Sequence, residues 1–146
     1  MNKYFTIAEL SASQYATRNS IDNTPSPAVK LALIDLIDNV LVPIRLNFEK
    51  PVVVSSGYRC PKLNKAIGGA KNSDHIYGFA ADFTVHGWKN SDVCDWIEDN
   101  LKFTQCILEF GNSGWIHVSY NPANLKCQTL RAVKVSGKTT YLNGFR

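Results

Sequence analysis

The ten residues from Ser73 to Asp82, S-D-H-I-Y-G-F-A-A-D, together with a lone W-I-H-V-S segment around His117, constrain this chain more than any other feature. They place two imidazoles and one carboxylate, those of His75, Asp82 and His117, on separate stretches. That is the protein-ligand count of a catalytic zinc site, whose fourth tetrahedral position stays open to water. A fold that uses all three groups must lay the two stretches side by side. The local composition suits this: Gly78 permits a tight turn after His75, and Ala80 and Ala81 are small enough for the chain to re-enter a sheet with Asp82 aimed back at the same point. A buried histidine bonded to an aspartate is common in proteins, so that pair alone says little. The full string with the later W-x-H says much more.

This string resembles the first signature of the zinc peptidases of the D-Ala-D-Ala carboxypeptidase family, S-x-H-x-x-G-x-A-x-D, at Ser73, His75, Gly78, Ala80 and Asp82. The upstream run S-G-Y-R-C-P-K-L-N, from Ser56 to Asn64, followed by Gly68 and Gly69, is also similar to that family, particularly to its phage-encoded cell-wall branch. The resemblance extends from about Val52 to Tyr120. It implies a hedgehog/DD-peptidase fold, and Zn2+ held by His75, Asp82 and His117.

Local signals outline an α+β fold of helices packed on a mainly antiparallel sheet. Thr6 and Glu9 read as a capping box that opens a helix through about Tyr15, followed by a polar stretch from Thr17 to Thr24. Ser26 and Pro27 suit the start of a long helix whose stripe is Val29, Leu33, Leu36, Ile37, Val40, Leu41 and Ile44, and Pro43 is expected to bend or end it. Strands are expected at 52–55, 79–85, 105–110 and 115–120, with helices at 61–67 and 91–101 and a terminal hairpin from 130–135 and 139–142. Alternation puts Ala80, Asp82 and Thr84 on one strand face and Trp115, His117 and Ser119 on another. If those strands are neighbours, their polar faces meet at one metal. His86, at a strand end beside Gly87, is expected at the surface and outside the site.

Hydrolysis requires a group that takes a proton from water and delivers one to the leaving amine. Many members of the resembled family carry an acid three positions before the second histidine ligand; here that position is Gly114. The nearest acid upstream is Glu109, in Q-C-I-L-E-F, which a hairpin could bring across from His117. It is expected to act as general base and acid, the alternative being a carboxylate at the rim of a surface turn. Arg59 follows the V-V-V strand, and its planar fork can orient a substrate carboxylate or steady an oxyanion. A structural salt bridge or a helix-cap contact is the alternative. Ser73 and Asn64 suit loop-holding hydrogen bonds, with Ser73 placed in the expected substrate-binding set beside Arg59. Tyr58, Tyr77 and Trp115 can line a groove or fill the core, and Tyr58 and Trp115 are expected as substrate contacts.

The 146 residues, 45% hydrophobic and 19% charged, suit a single domain over 1–146. The four cysteines form no C-x-x-C pair and are expected as buried free thiols. No apolar run follows a basic start near Met1, so synthesis in a host cytoplasm without a signal peptide is expected, and no segment suits a membrane span. The net charge of +4 suits an anionic wall polymer or nucleic acid alike, but no basic helix or aromatic-basic stripe supports nucleic acid. The combined expectation is a monomeric zinc peptidase acting on peptidoglycan stem peptides at the bacterial cell wall, as a phage endolysin or a virion-associated lytic enzyme. A D-alanyl-D-alanine carboxypeptidase or dipeptidase, and a non-catalytic zinc-stabilised virion or binding module, are the rivals.

Overall fold

A computed structural model of the chain describes residues 2–146; Met1, the first residue of the expected domain, lies outside them. Thr6 caps helix α1 (Ile7–Ser11), its hydroxyl accepting from the Glu9 N–H at 3.1 Å. The expected single helix to Tyr15 is two. The chain leaves helical geometry at Ala12, and Ser13 caps α2 (Gln14–Arg18) by accepting from the Ala16 N–H. Two causes combine: Ser13 has a cap available, and the Leu10 carbonyl, which a continuing helix would use internally, accepts instead from the Tyr58 N–H at 2.7 Å. The polar stretch correspondingly begins after Arg18.

Ser26 and Pro27 start α3 (Pro27–Leu36) as expected. Pro43 does not end the helical run. A single wider turn at Ile37–Leu41 carries an i→i−5 bond from the Val42 N–H to the Ile37 carbonyl, and α4 (Val42–Phe48) continues to Glu49, where φ is 55°. A proline lacks the N–H and crowds the carbonyl four residues back, and a π-type turn just before it relieves both problems. Leu33, Leu36, Ile37, Val40, Leu41 and Ile44 of the stripe are buried and Val29 is half-buried.

The sheet has six strands: β1 (Val52–Ser56), β2 (Ala80–Val85), β3 (Gln105–Glu109), β4 (Trp115–Ser119), β5 (Gln128–Val135) and β6 (Lys138–Asn143), in spatial order β1-β2-β4-β3-β5-β6. Neighbours are antiparallel except β3 and β5. Helices α5 (Pro61–Ala66) and α6 (Asn90–Asn100) lie between strands in sequence. Alternation divides the sheet. Ala81, Phe83, Val85, Cys106, Leu108, Ile116 and Val118 turn to one face and join α3, α4 and α6 in the core, whereas Asp82, Ile107, Glu109, Trp115 and His117 turn to the other. The last hairpin closes through Ser136 (φ 52°) and Gly137 (φ 77°), two left-handed residues as a two-residue turn of this hand requires. Of the cysteines only Cys94 and Cys106 are buried, with sulfurs 4.0 Å apart; Cys60 is half-buried and Cys127 exposed, which corrects the expectation of four buried thiols.

Candidate metal centre

β2 and β4 pair so that Asp82 stands directly opposite His117, which puts carboxylate and imidazole on one face with no loop rearrangement. His75 reaches the same point from a short 3-10 turn, Asp74–Tyr77, which was not expected from the sequence. Ser73 caps that turn by accepting from the His75 N–H, and Gly78 ends it at φ 76°. A side chain at Gly78 would also strike Val29 at 2.9 Å. His75 is 2% exposed, and its Nδ1 lies 2.6 Å from the Gly57 carbonyl oxygen.

These contacts test whether a cation fits. A carbonyl only accepts, so His75 Nδ1 carries the proton, and in the neutral ring Nε2 is left with a lone pair. That lone pair faces Asp82 Oδ1 at 3.3 Å, one acceptor against another. His117 Nδ1 meets the same oxygen at 2.9 Å, and donor atoms of all three residues lie within 4.8 Å of one another. Ligands about 2.0–2.1 Å from a tetrahedral zinc stand roughly 3.4 Å apart, so the donors fit the ion and a cation removes the acceptor-acceptor conflict. Burial by itself would raise the Asp82 carboxyl, but the hydrogen bond with His117 is the largest influence opposing it, and the carboxyl is held below the ordinary carboxylate range. Gly57, whose carbonyl sets the His75 ring, was not singled out from sequence, because an orienting backbone oxygen leaves no side-chain signature.

Glu109 lies on the same face. The register pairs it with Trp115 and puts Ile107 directly opposite His117, so Glu109 sits diagonal to the histidine rather than across from it. It is 8% exposed, and burial pushes its carboxyl up, with His117 pulling it down and Asp82 adding to the rise. Gly114 cannot supply the acid: a Cβ there would fall 1.8 Å from the Glu109 carbonyl oxygen, so the turn requires glycine. Arg59 is half-buried; its Nη2 donates to Ser73 Oγ at 3.3 Å, and its buried Nε has no partner. Among the described residues Arg59 makes no ion pair, so the salt-bridge alternative finds no carboxylate. Desolvation lowers the guanidinium pKa, with the Asp82 charge opposing.

Arg59, Ser73, His75, Asp82, Glu109, Trp115 and His117 all line one groove of about 640 Å³. Tyr58 does not reach it: the ring is 7% exposed, packs in the core and borders a separate cavity. Tyr77 and His86 are exposed and lie outside the groove. Asn64 donates to the Ala70 carbonyl and so holds its loop as expected. The groove also takes in Gln105, Leu130, Thr139 and Tyr141, to which the sequence assigns no role. Strand alternation groups Thr139 with Tyr141, but nothing local says that their strand reaches the site.

Fold and site together define a class: an α+β domain in which two sheet residues and a neighbouring turn bring together three groups that could hold a metal, beside an acid and an arginine. Residues 3–119 match the Peptidase M15 family, and the chain belongs to it. It is also 50% identical over 34 residues to a zinc D-Ala-D-Ala carboxypeptidase of Streptomyces albus G. That alignment covers 23% of this chain and 13% of the relative's length.

Proposed function

We propose that this protein is a zinc-dependent peptidase that hydrolyses a peptide bond in bacterial peptidoglycan stem peptides, acting as a phage endolysin or a virion-associated lytic enzyme. The observation that carries the reading is the convergence of His75, Asp82, His117, Glu109 and Arg59 in one groove. Zinc bound there would polarise a carbonyl and lower the pKa of a water. Glu109 takes the proton from the attacking water and returns it to the leaving amine, a role favoured by a carboxyl that burial raises. Arg59, which lines the groove and is paired with no carboxylate among the described residues, receives a substrate carboxylate or the developing oxyanion. Ser73 holds that fork and the His75 turn in one arrangement. Trp115, 37% exposed, supplies an aromatic wall for the peptide.

A D-alanyl-D-alanine carboxypeptidase is the second reading, favoured by Arg59 as a receiver for a free C-terminal carboxylate and by the name of the Streptomyces relative. The non-catalytic reading rested on Gly114, and the tightness of that turn explains the glycine without it. No helix of the described residues is long and apolar enough to cross a membrane. The proposed partner is the wall peptide, acted on by a monomer made in a host cytoplasm, with no nucleic-acid partner.

Zinc-loaded protein should be incubated with purified sacculi and with a soluble stem pentapeptide, with and without chelator, and the fragments read by mass spectrometry. Chelator-sensitive cleavage of internal stem bonds is the expected result. Release of terminal D-alanine alone selects the carboxypeptidase, and no cleavage of either substrate by the zinc-loaded protein overturns both readings.

A further inference from the structure

We infer that the C-terminal hairpin β5-β6 builds a substrate subsite, in which Tyr141 contacts the peptide chain several residues from the scissile bond and selects extended stem peptides over terminal dipeptides. This rests on the peptidase reading above. The family match ends at residue 119, so the hairpin lies outside it. Even so, Leu130, Thr139 and Tyr141 line the same groove as the three metal donors.

Register explains how they arrive there. Glu109 pairs with Ala132 across β3 and β5, and Ala132 pairs with Tyr141 across β5 and β6, so all three share the groove face. Ala132 contributes only a methyl and is fully buried between them. From β4, which carries His117, to β6 there are three strand spacings, or about 14 Å at ~4.8 Å each. At ~3.3–3.6 Å per extended residue this distance holds about four residues of peptide. Arg59 lines the groove on the side of the His75 turn, where its Nη2 donates to Ser73 Oγ. A peptide whose carboxylate lies at Arg59 therefore runs its N-terminal part toward Tyr141.

The wall is preformed. Arg131 Nη1 donates to the carbonyls of Asn143, Gly144 and Arg146, Phe145 joins the core, and Arg146 pairs with Asp95 of α6. Tyr141 is nevertheless 53% exposed, so the core does not account for its ring. Its phenol is raised by burial first and then by the charges of Glu109 and Asp82, which agrees with a hydroxyl directed toward the acids.

The test compares a stem pentapeptide with an N-acetylated dipeptide ending in the same two residues. Wild type, Tyr141→Ala, Tyr141→Phe and the volume-keeping Tyr141→Leu would all be zinc-loaded and checked for metal content and Tm. For Tyr141→Ala and Tyr141→Leu the kcat/KM preference for the pentapeptide should fall about tenfold, as for truncation of a binding anchor, while Tyr141→Phe keeps most of it. An unchanged preference in every folded variant overturns the inference. Pentapeptide binding, measured calorimetrically on the same proteins, separates the two claims. If wild type cleaves neither substrate but binding weakens in Tyr141→Ala or Tyr141→Leu, the subsite stands and the peptidase reading falls; if binding is also unchanged, both fall.

Discussion

Replacing Gly57 with alanine would drive a methyl group into the backbone of Leu10. The added Cβ would lie 2.1 Å from the Leu10 carbonyl oxygen and 2.9 Å from its carbonyl carbon, where contacts under 3.0 Å do not occur. Both partners are backbone, so the end of β1 and helix α1 must separate by roughly 1 Å, an overpacking displacement that costs about 1–3 kcal/mol. The shift also stretches the bond from the Tyr58 N–H to that carbonyl. For a domain of this size, about 4 °C of Tm accompanies each kcal/mol, so Tm should fall by about 4–12 °C. Function should suffer separately, because the Gly57 carbonyl orients the His75 ring at 2.6 Å, and disturbing such an orienting partner weakens metal binding on the order of tenfold. Thermal melts of metal-free and zinc-loaded protein, with a chromophoric chelator competition, measure the two effects. If Gly57→Ala melts and binds zinc as wild type does, the close approach and the orienting role are both wrong.

Purified protein should hold about one zinc per chain by elemental analysis, and His75→Ala or His117→Ala should lose most of it, whereas His86→Ala should not; full occupancy in either ligand variant refutes the site. Glu109→Gln should keep zinc while losing on the order of 10²-fold or more in turnover. Burial raises the folded-state Glu109 carboxyl, so its ionisation destabilises the fold only above the unfolded value of about 4.3. In chelator-treated protein the Gln variant should therefore gain Tm over wild type as pH rises from about 4 to 7, and an equal difference at both ends contradicts this. Arg59→Lys keeps the charge but loses the fork, so cleavage should fall with Tm and zinc content near wild type; lowered Tm with intact turnover would remove Arg59 from the active site.

Much of the site was legible because its signals are local. The spacing from His75 through Gly78 to Asp82, the alternation that gives Asp82 and His117 polar faces, and the Ser26-Pro27 helix start each depend on a few consecutive residues. The same local rules misjudged the first helix, where Leu10 gives its carbonyl to Tyr58, 48 positions along the chain. They also missed the wider turn that lets the long helix pass Pro43.

By itself the sequence determined which groups were available: two imidazoles, one carboxylate, a nearby glutamate and an arginine, on elements of recognisable type. Tertiary structure decided who meets whom. The Asp82–His117 register, the diagonal place of Glu109, the Gly57 carbonyl behind His75, the crowding that requires Gly114, the withdrawal of Tyr58 into the core and the arrival of Tyr141 at the groove are all choices of partner. The physical reason is range. Caps, turns and pleats are set by neighbours along the chain, whereas the order β1-β2-β4-β3-β5-β6 is set by burying one sheet face against the helices, an outcome to which the whole core contributes at once.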